Sequence, residues 1–312
     1  MSKKNEDIDY EEYESLKQSK FKQQKLPGWR STPSMFNSIL FFFSLGILAI
    51  GIGITIKIFS DEIITQEIVY NNETNISFKL KKTMKGDIMV YYKVLNFYQN
   101  NRRFMNSRSE DQLKGINITL DEMKNRHECD PIITNRDLRI NISSTKYNLD
   151  DVAIPCGLIA RSFVLFDDTF DFSLSNGTKI IINDTNIARK YDRENYKNSS
   201  DSNKQWLNIE DEHFLVWMRT SPFVNFTKLY GRIKGDLQAG TEINVTITHN
   251  DYYNEGEYQH SNIGKNIYLT TVNSFGGKND ELALSYGIFG ILCIILGIVF
   301  IFGFNYYNKR DK

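Results

Sequence analysis

Net charge is what this chain lacks most plainly: 38 Lys and Arg balance 38 Asp and Glu, which leaves zero at pH 7. A chain with no positive excess lacks the electrostatic footprint of a nucleic-acid binder. The short patterns that mark common chemistries are also missing. There is no G-x-S-x-G, no H-E-x-x-H, no Walker A sequence and no G-x-G-x-x-G. The four histidines (His127, His213, His249 and His260) are scattered and have no motif partner. Asp150-Asp151 and Asp167-Asp168 read as solvated turns, although carboxylates distant in sequence leave a paired-acid hydrolase open. No catalytic residue, cofactor site or metal ligand is assigned.

Charge is absent altogether from two stretches. No charged side chain (Asp, Glu, Lys or Arg) occurs from Ser31 to Ile56, nor from Leu282 to Tyr307. About 20 apolar residues in a helix, at about 1.5 Å each, match a hydrocarbon core roughly 30 Å thick. A soluble core helix rarely runs so long without one polar face. Membrane-spanning helices are therefore expected at 35–59 and 282–304, with tails at 1–34 and 305–312. Neither span holds an internal charge that would mark an ion or substrate route. Lys57 sits at a span end, where it can snorkel. Small residues recur four apart, as Ala49 and Gly53, Ala283 and Gly287, and Cys293 and Gly297, a spacing that lets helix backbones approach.

Everything from 60 to 281 then lies on one side of a membrane. Lys17, Lys20, Lys22, Lys25 and Arg30 precede the first span, and Lys309, Arg310 and Lys312 follow the second. Asp61, Glu62 and Glu67 open the middle segment, with no Lys or Arg from Ile58 to Phe78. Basic flanks stay cytosolic. Both termini are expected in the cytosol and the middle segment in the lumen or outside the cell. The first span reads as an uncleaved anchor, because it starts far from Met1 and lacks a small-residue cleavage pattern. Asn-X-Ser/Thr occurs at Asn72, Asn75, Asn117, Asn141, Asn176, Asn183, Asn198, Asn225 and Asn244, all between the spans. Cysteine is scarce. Cys293 falls inside the second span and reads as a packing residue. Cys129 and Cys156 share the oxidising side and are paired here as a disulfide. Zinc is the alternative, but His127 near Cys129 lacks further ligands at useful spacing.

The middle segment is long enough for a real core. Gln66–Tyr70, Ile76–Leu80, Ile88–Tyr92, Lys179–Asn183, His213–Thr220, Thr241–Asn250 and Asn266–Gly277 read as strands. Tyr91–Leu113 reads as a strand running into one or two short helices, dense in aromatic, amide and arginine residues. Such residues are enriched at interface hot spots; a packed junction with Arg102 and Arg103 paired to carboxylates is the plainer reading. Ile187–Asn208 reads as loop. The fold class is a membrane protein whose two transmembrane helices flank a large, mainly antiparallel-β, sandwich-like ectodomain with short helices.

Six blocks carry a resemblance: FKQQKLPGW, YYKVLNFYQNNRRFMNSR with the following DQL, IPCGLIARS, VWMRTSPFVNFTKLYGRI, LQAGTEINVTI and TTVNSFGGKND. In these, and in the placement of its two spans, the chain resembles the cell-division-control-fifty (ligand-effect-modulator) family. Its members are accessory β-subunits of type IV P-type ATPases, the phospholipid flippases. The resemblance implies a glycosylated, disulfide-stapled ectodomain that caps the lumenal loops of a catalytic ATPase subunit. It implies roles in folding that subunit, in its exit from the endoplasmic reticulum, and in its transport cycle. The address implied is the endoplasmic reticulum, Golgi, endosome or plasma membrane. ATP hydrolysis would belong to the partner, so no enzyme activity is expected of this chain. Partner contacts are expected at Phe21, Gln24, Leu26, Pro27 and Trp29, along the cytosolic membrane boundary, and at Phe97, Tyr98, Gln99, Asn100, Arg102 and Arg103 on the ectodomain. The family's early cysteine pair is missing between Ser60 and Tyr91, and NIARKYDREN stands where the family often has a Trp-bearing segment. A free-standing glycosylated receptor or adhesion protein is the alternative function.

Overall fold

The computed structural model describes residues 13–25, 34–71, 73–140, 147–201, 203–249 and 263–310. Helix α1 (Met35–Asp61) leads into strands β1 (Thr65–Val69), β2 (Asn75–Lys79) and β3 (Asp87–Leu95). Short helices follow: α2 (Arg102–Asn106), α3 (Glu110–Leu113), α4 (Leu120–Arg126), α5 (Asn135–Leu138) and α6 (Leu158–Phe163). Strands β4 (Thr169–Leu174), β5 (Lys179–Ile180) and β6 (Ile182–Asn183) precede α7 (Lys190–Asn195) and α8 (Glu212–Met218). The chain closes with β7 (Phe226–Lys234), β8 (Glu242–Thr248), β9 (Gly264–Thr271) and helix α9 (Asp280–Arg310).

Two compact units result, one of Met1–Thr55 with Glu281–Lys312 and one of Ile56–Asp280. In the first, α1 and α9 are long and apolar enough to cross a membrane. They pack antiparallel. A Cβ at Gly46 would meet the Gly290 carbonyl at 2.8 Å, and one at Gly53 the Ala283 carbonyl at 3.0 Å. Gly297 lies against the Phe43 ring, and Phe42 stacks on Phe300 with ring centroids 5.4 Å apart. Gly46 and Gly290 escaped the four-apart reading; Gly287, which that reading included, sets its backbone nitrogen 3.2 Å from where a Gly53 Cβ would stand, while a Cβ of its own would meet nothing. Cys293 is buried and unpaired, as a packing residue would be.

The second unit is built on two antiparallel sheets, ordered β1-β9-β3-β7-β6 and β2-β8-β4-β5. Period-two alternation makes them. Ile88, Val90, Tyr92 and Val94 of β3 and Ile243, Val245 and Ile247 of β8 point into one shared core. The sheets meet where Phe170 of β4 packs edge-on to Tyr230 of β7, ring centroids 4.7 Å apart, and donates its N–H to the Tyr230 hydroxyl at 3.0 Å. All the expected strands but one fall on observed ones. The exception is His213–Thr220, which is helix α8 rather than a strand. Its buried residues Phe214, Leu215, Trp217 and Met218 recur at helical spacing, and the Asp211 side chain accepts the His213 N–H at 3.1 Å to start it. Strands β4 and β7 are additions to the sequence reading, as is α7 within the stretch read as loop.

Candidate partner-contact surface

The aromatic and arginine-rich block begins where β3 ends. Asn96 takes a left-handed φ of 59° and gives its N–H to the Asn225 side chain at 3.0 Å. The chain then turns inward. The Phe97 ring packs on Phe166, Phe104 and Trp217, with centroids 5.1, 5.6 and 5.8 Å away. Gln99 is fully buried and accepts the Ser221 N–H at 2.9 Å. Phe97 is half-buried and Gln99 buried, so both side chains are engaged in packing within this chain. Asn101 accepts the N–H groups of Arg103 and Phe104, at 2.9 and 3.4 Å, and so starts α2. Tyr98, Asn100, Arg102 and Arg103 are left exposed.

Neither Arg102 nor Arg103 lies within ion-pair distance of a carboxylate among the described residues, contrary to the plainer reading of the block. Their neighbours differ. Arg108 holds Glu110 at 2.9 Å, and Arg126 holds Asp111 at 2.7 Å and Glu122 at 2.5 Å. Arg102 and Arg103, with Asn101 and Asn106, line one side of a concavity of about 510 Å³, and His127 and Asp130 line the other. His127 Nδ1 sits 2.8 Å from the Asp130 carboxylate.

A disulfide backs this concavity. Cys129 and Cys156 are bonded, with Cα atoms 5.7 Å apart. Ser107 donates its hydroxyl to the Cys129 carbonyl at 3.2 Å and accepts the Leu158 N–H at 2.8 Å. Arg108 N–H reaches the Glu128 carbonyl at 2.9 Å. Gly157, at φ 97°, is required here: a Cβ would stand 2.1 Å from the Ser107 carbonyl oxygen. Pairing the two cysteines thus fixes the far wall of the concavity to the residues after α2.

The buried ionisable groups lie elsewhere. Asp168 is buried, not part of a solvated turn. It accepts the Tyr70 hydroxyl and the Lys265 ammonium, each at 2.8 Å, and pairs with His249 Nδ1 at 2.6 Å. Burial would raise this carboxyl, but the His249 hydrogen bond and the Lys265 charge outweigh it and hold it below its ordinary value. Lys228 points inward from β7. Its ammonium meets the carbonyls of Val216, Trp217 and Arg219 at the end of α8, and burial lowers its pKa to about 7. These groups join sheet to sheet and helix to sheet within packed interior. Among the described residues, no group of His, Cys, Asp and Glu is placed to hold a metal ion.

With this geometry in view, comparison with known proteins is decisive. Residues 2–310 match the family described as the LEM3 (ligand-effect modulator 3) family / CDC50 family. The chain belongs to that family. CDC50 relatives include "Putative ALA-interacting subunit 2" of Arabidopsis thaliana, 32% identical over 93% of this chain and 91% of the relative. "ALA-interacting subunit 3" of the same plant is 33% identical, covering 91% and 84%. "Cell cycle control protein 50A" of Bos taurus is 30% identical, covering 89% and 86%. The missing early cysteine pair and the NIARKYDREN segment therefore sit inside a chain that is CDC50-like over its whole length.

The remaining expected positions are dispersed. Phe21 is exposed, and Gln24 has a φ of 55°; Leu26, Pro27 and Trp29 lie outside the described residues. Asn75, Asn117, Asn176, Asn183, Asn198, Asn225 and Asn244 are exposed, while Asn72 and Asn141 lie outside the described residues. Sequence reasoning missed the His127–Asp130 wall. Its one signal was the histidine beside Cys129, weighed only as a zinc ligand.

Proposed function

We propose that this CDC50-family chain is the non-catalytic accessory β-subunit of a phospholipid-translocating type IV P-type ATPase. The observation that carries this reading is the match along essentially the whole chain, with relatives named as interacting subunits. Two plain spans and a stapled ectodomain suit a subunit that supports another protein's fold. The catalytic subunit supplies ATP hydrolysis. This chain assists its folding, its exit from the endoplasmic reticulum and its transport cycle. Both termini lie in the cytosol, and 60–281 is lumenal or extracellular and carries N-linked glycans. The complex then resides in the endoplasmic reticulum, Golgi, endosome or plasma membrane. The stretch 21–29 follows the cytosolic boundary of the partner, and Tyr98, Asn100, Arg102 and Arg103 face its outer loops.

The test is affinity capture of the tagged full-length chain from detergent extract, read by mass spectrometry. A co-purifying ATPase of much larger mass is expected, and loss of the chain should trap that ATPase in the endoplasmic reticulum. Capture of the chain alone, stable and monodisperse, would instead favour a free-standing receptor.

A further inference from the structure

The concavity beside α2 has a chemistry of its own. We propose that it is a seat for a carboxylate-bearing segment of the catalytic subunit, with Arg102 and Arg103 as the charged clamp; this rests on the subunit reading above. Three observations converge. The first is the charge left over. Arg108 and Arg126 are held by Glu110, Asp111 and Glu122, but Arg102 and Arg103 are exposed with no carboxylate within ion-pair distance among the described residues; the one acid that lines the same concavity, Asp130, is held by His127 at 2.8 Å. A guanidinium fork matches a carboxylate bidentately, which gives direction as well as attraction.

The second is rigidity. The arginines start a helix set by the Asn101 side chain and anchored through Phe104 on Phe97. The opposite wall, His127 to Asp130, is tied to Ser107 and Arg108 through the Cys129 carbonyl and the Glu128 carbonyl. A seat whose two sides are already fixed loses little freedom on binding.

The third is the lining, which is Asn, Arg, Ser, His and Asp with no apolar side chain. A phospholipid would bring a phosphate that the arginines could hold, but its acyl chains would find no apolar slot. Asn101, Asn106 and the Asp130 carboxylate instead offer donors and acceptors suited to a peptide backbone beside its acidic side chain. None of the lining asparagines is a glycosylation sequon, so no N-linked glycan is attached within the concavity.

The experiment uses the full-length chain co-expressed with its catalytic subunit. Arg102→Glu/Arg103→Glu is compared with Arg102→Lys/Arg103→Lys and with wild type. Charge reversal should cut the co-purified catalytic subunit by at least about tenfold, because a like charge then faces the incoming carboxylate. The lysine pair should retain most of the yield. A photo-cross-linker at Asn106 should capture a catalytic-subunit peptide that contains Asp or Glu. Wild-type yield from the charge-reversed chain overturns the seat, as does a cross-link only to lipid or to a peptide without acids. Should charge reversal prevent the Cys129–Cys156 disulfide from forming, the cross-link on the otherwise unaltered chain decides. If the wild-type chain captures no ATPase at all, the subunit reading itself falls; if wild type and charge-reversed chains capture it equally, only the seat does.

Discussion

Asp168 shows what a single buried residue can hold. It stands just ahead of β4 in one sheet and receives Lys265 from β9 in the other, so the ion pair crosses the sandwich. Both side chains are about 1% exposed. A buried pair need not stabilise more than an apolar pair of the same shape, but removing one partner strands the other charge at a cost of about 3–5 kcal/mol. Asp168→Asn should lower the unfolding free energy by about that amount, and adding Lys265→Met should restore much of it. Urea titration of the purified full-length chain, followed by fluorescence of the buried Trp206 and Trp217, measures both. The pH dependence has a definite sign. The folded carboxyl lies below its unfolded value, so its contribution is complete above that unfolded value, near about pH 4, and fades as pH falls through the folded value. The acid limb of stability should be steeper in wild type than in Asp168→Asn. Equal slopes would remove Asp168 from the account.

Elements were legible where their pattern was regular. β8 shows buried Ile243, Val245 and Ile247 between polar neighbours, and period two announces it. β7 hid because Lys228 occupies an inward position between Phe226 and Tyr230, so its alternation does not look apolar. Three carbonyls at the end of α8 take up that lysine's charge, and they come from a different element. The stretch that became α8 misled because its apolar and aromatic residues suit a strand as well as a short helix. The spans teach the same lesson: composition located both, but which glycines meet depends on rotation about the helix axes. That gives a differential prediction. A Cβ on Gly290 would stand 2.6 Å from the Ile50 side chain and 2.8 Å from the Gly46 carbonyl, whereas a Cβ on Gly287 meets nothing. Gly290→Leu should therefore weaken α1–α9 packing, seen as lost cross-linking between cysteines placed along the two helices, and Gly287→Leu should leave it intact. The disulfide is also an element-scale device. It joins residues 27 apart in sequence, and Cys129→Ser with Cys156→Ser should cost roughly 3–4 kcal/mol by the chain-entropy account. The same urea titration reads that loss, and the cross-link from Asn106 should weaken if the wall it supports loosens.

For the whole molecule, the deciding question is which side of the membrane holds the folded bulk. Two antiparallel helices return the chain to the side from which it started, so residues before α1 and after α9 share one aqueous phase if both helices cross. The basic residues on both outer flanks, against Asp61, Glu62 and Glu67 on the inner one, favour the cytosol as that phase. Sealed microsomes, whose outer face is cytosolic, make this measurable. Added protease should remove epitopes at both termini and leave a protected core near the mass of 35–304 plus its glycans. Endoglycosidase should shift that core only after detergent opens the vesicles. Replacing exposed Asn176 or Asn244 by Gln should remove one glycan's worth of mass each if both sequons are used. A core that is digested in sealed vesicles, with the termini spared, would invert the topology. Arg102 and Arg103 would then face the cytosol, where no outer loop of an ATPase could reach them, so the partner surface proposed above depends on this result.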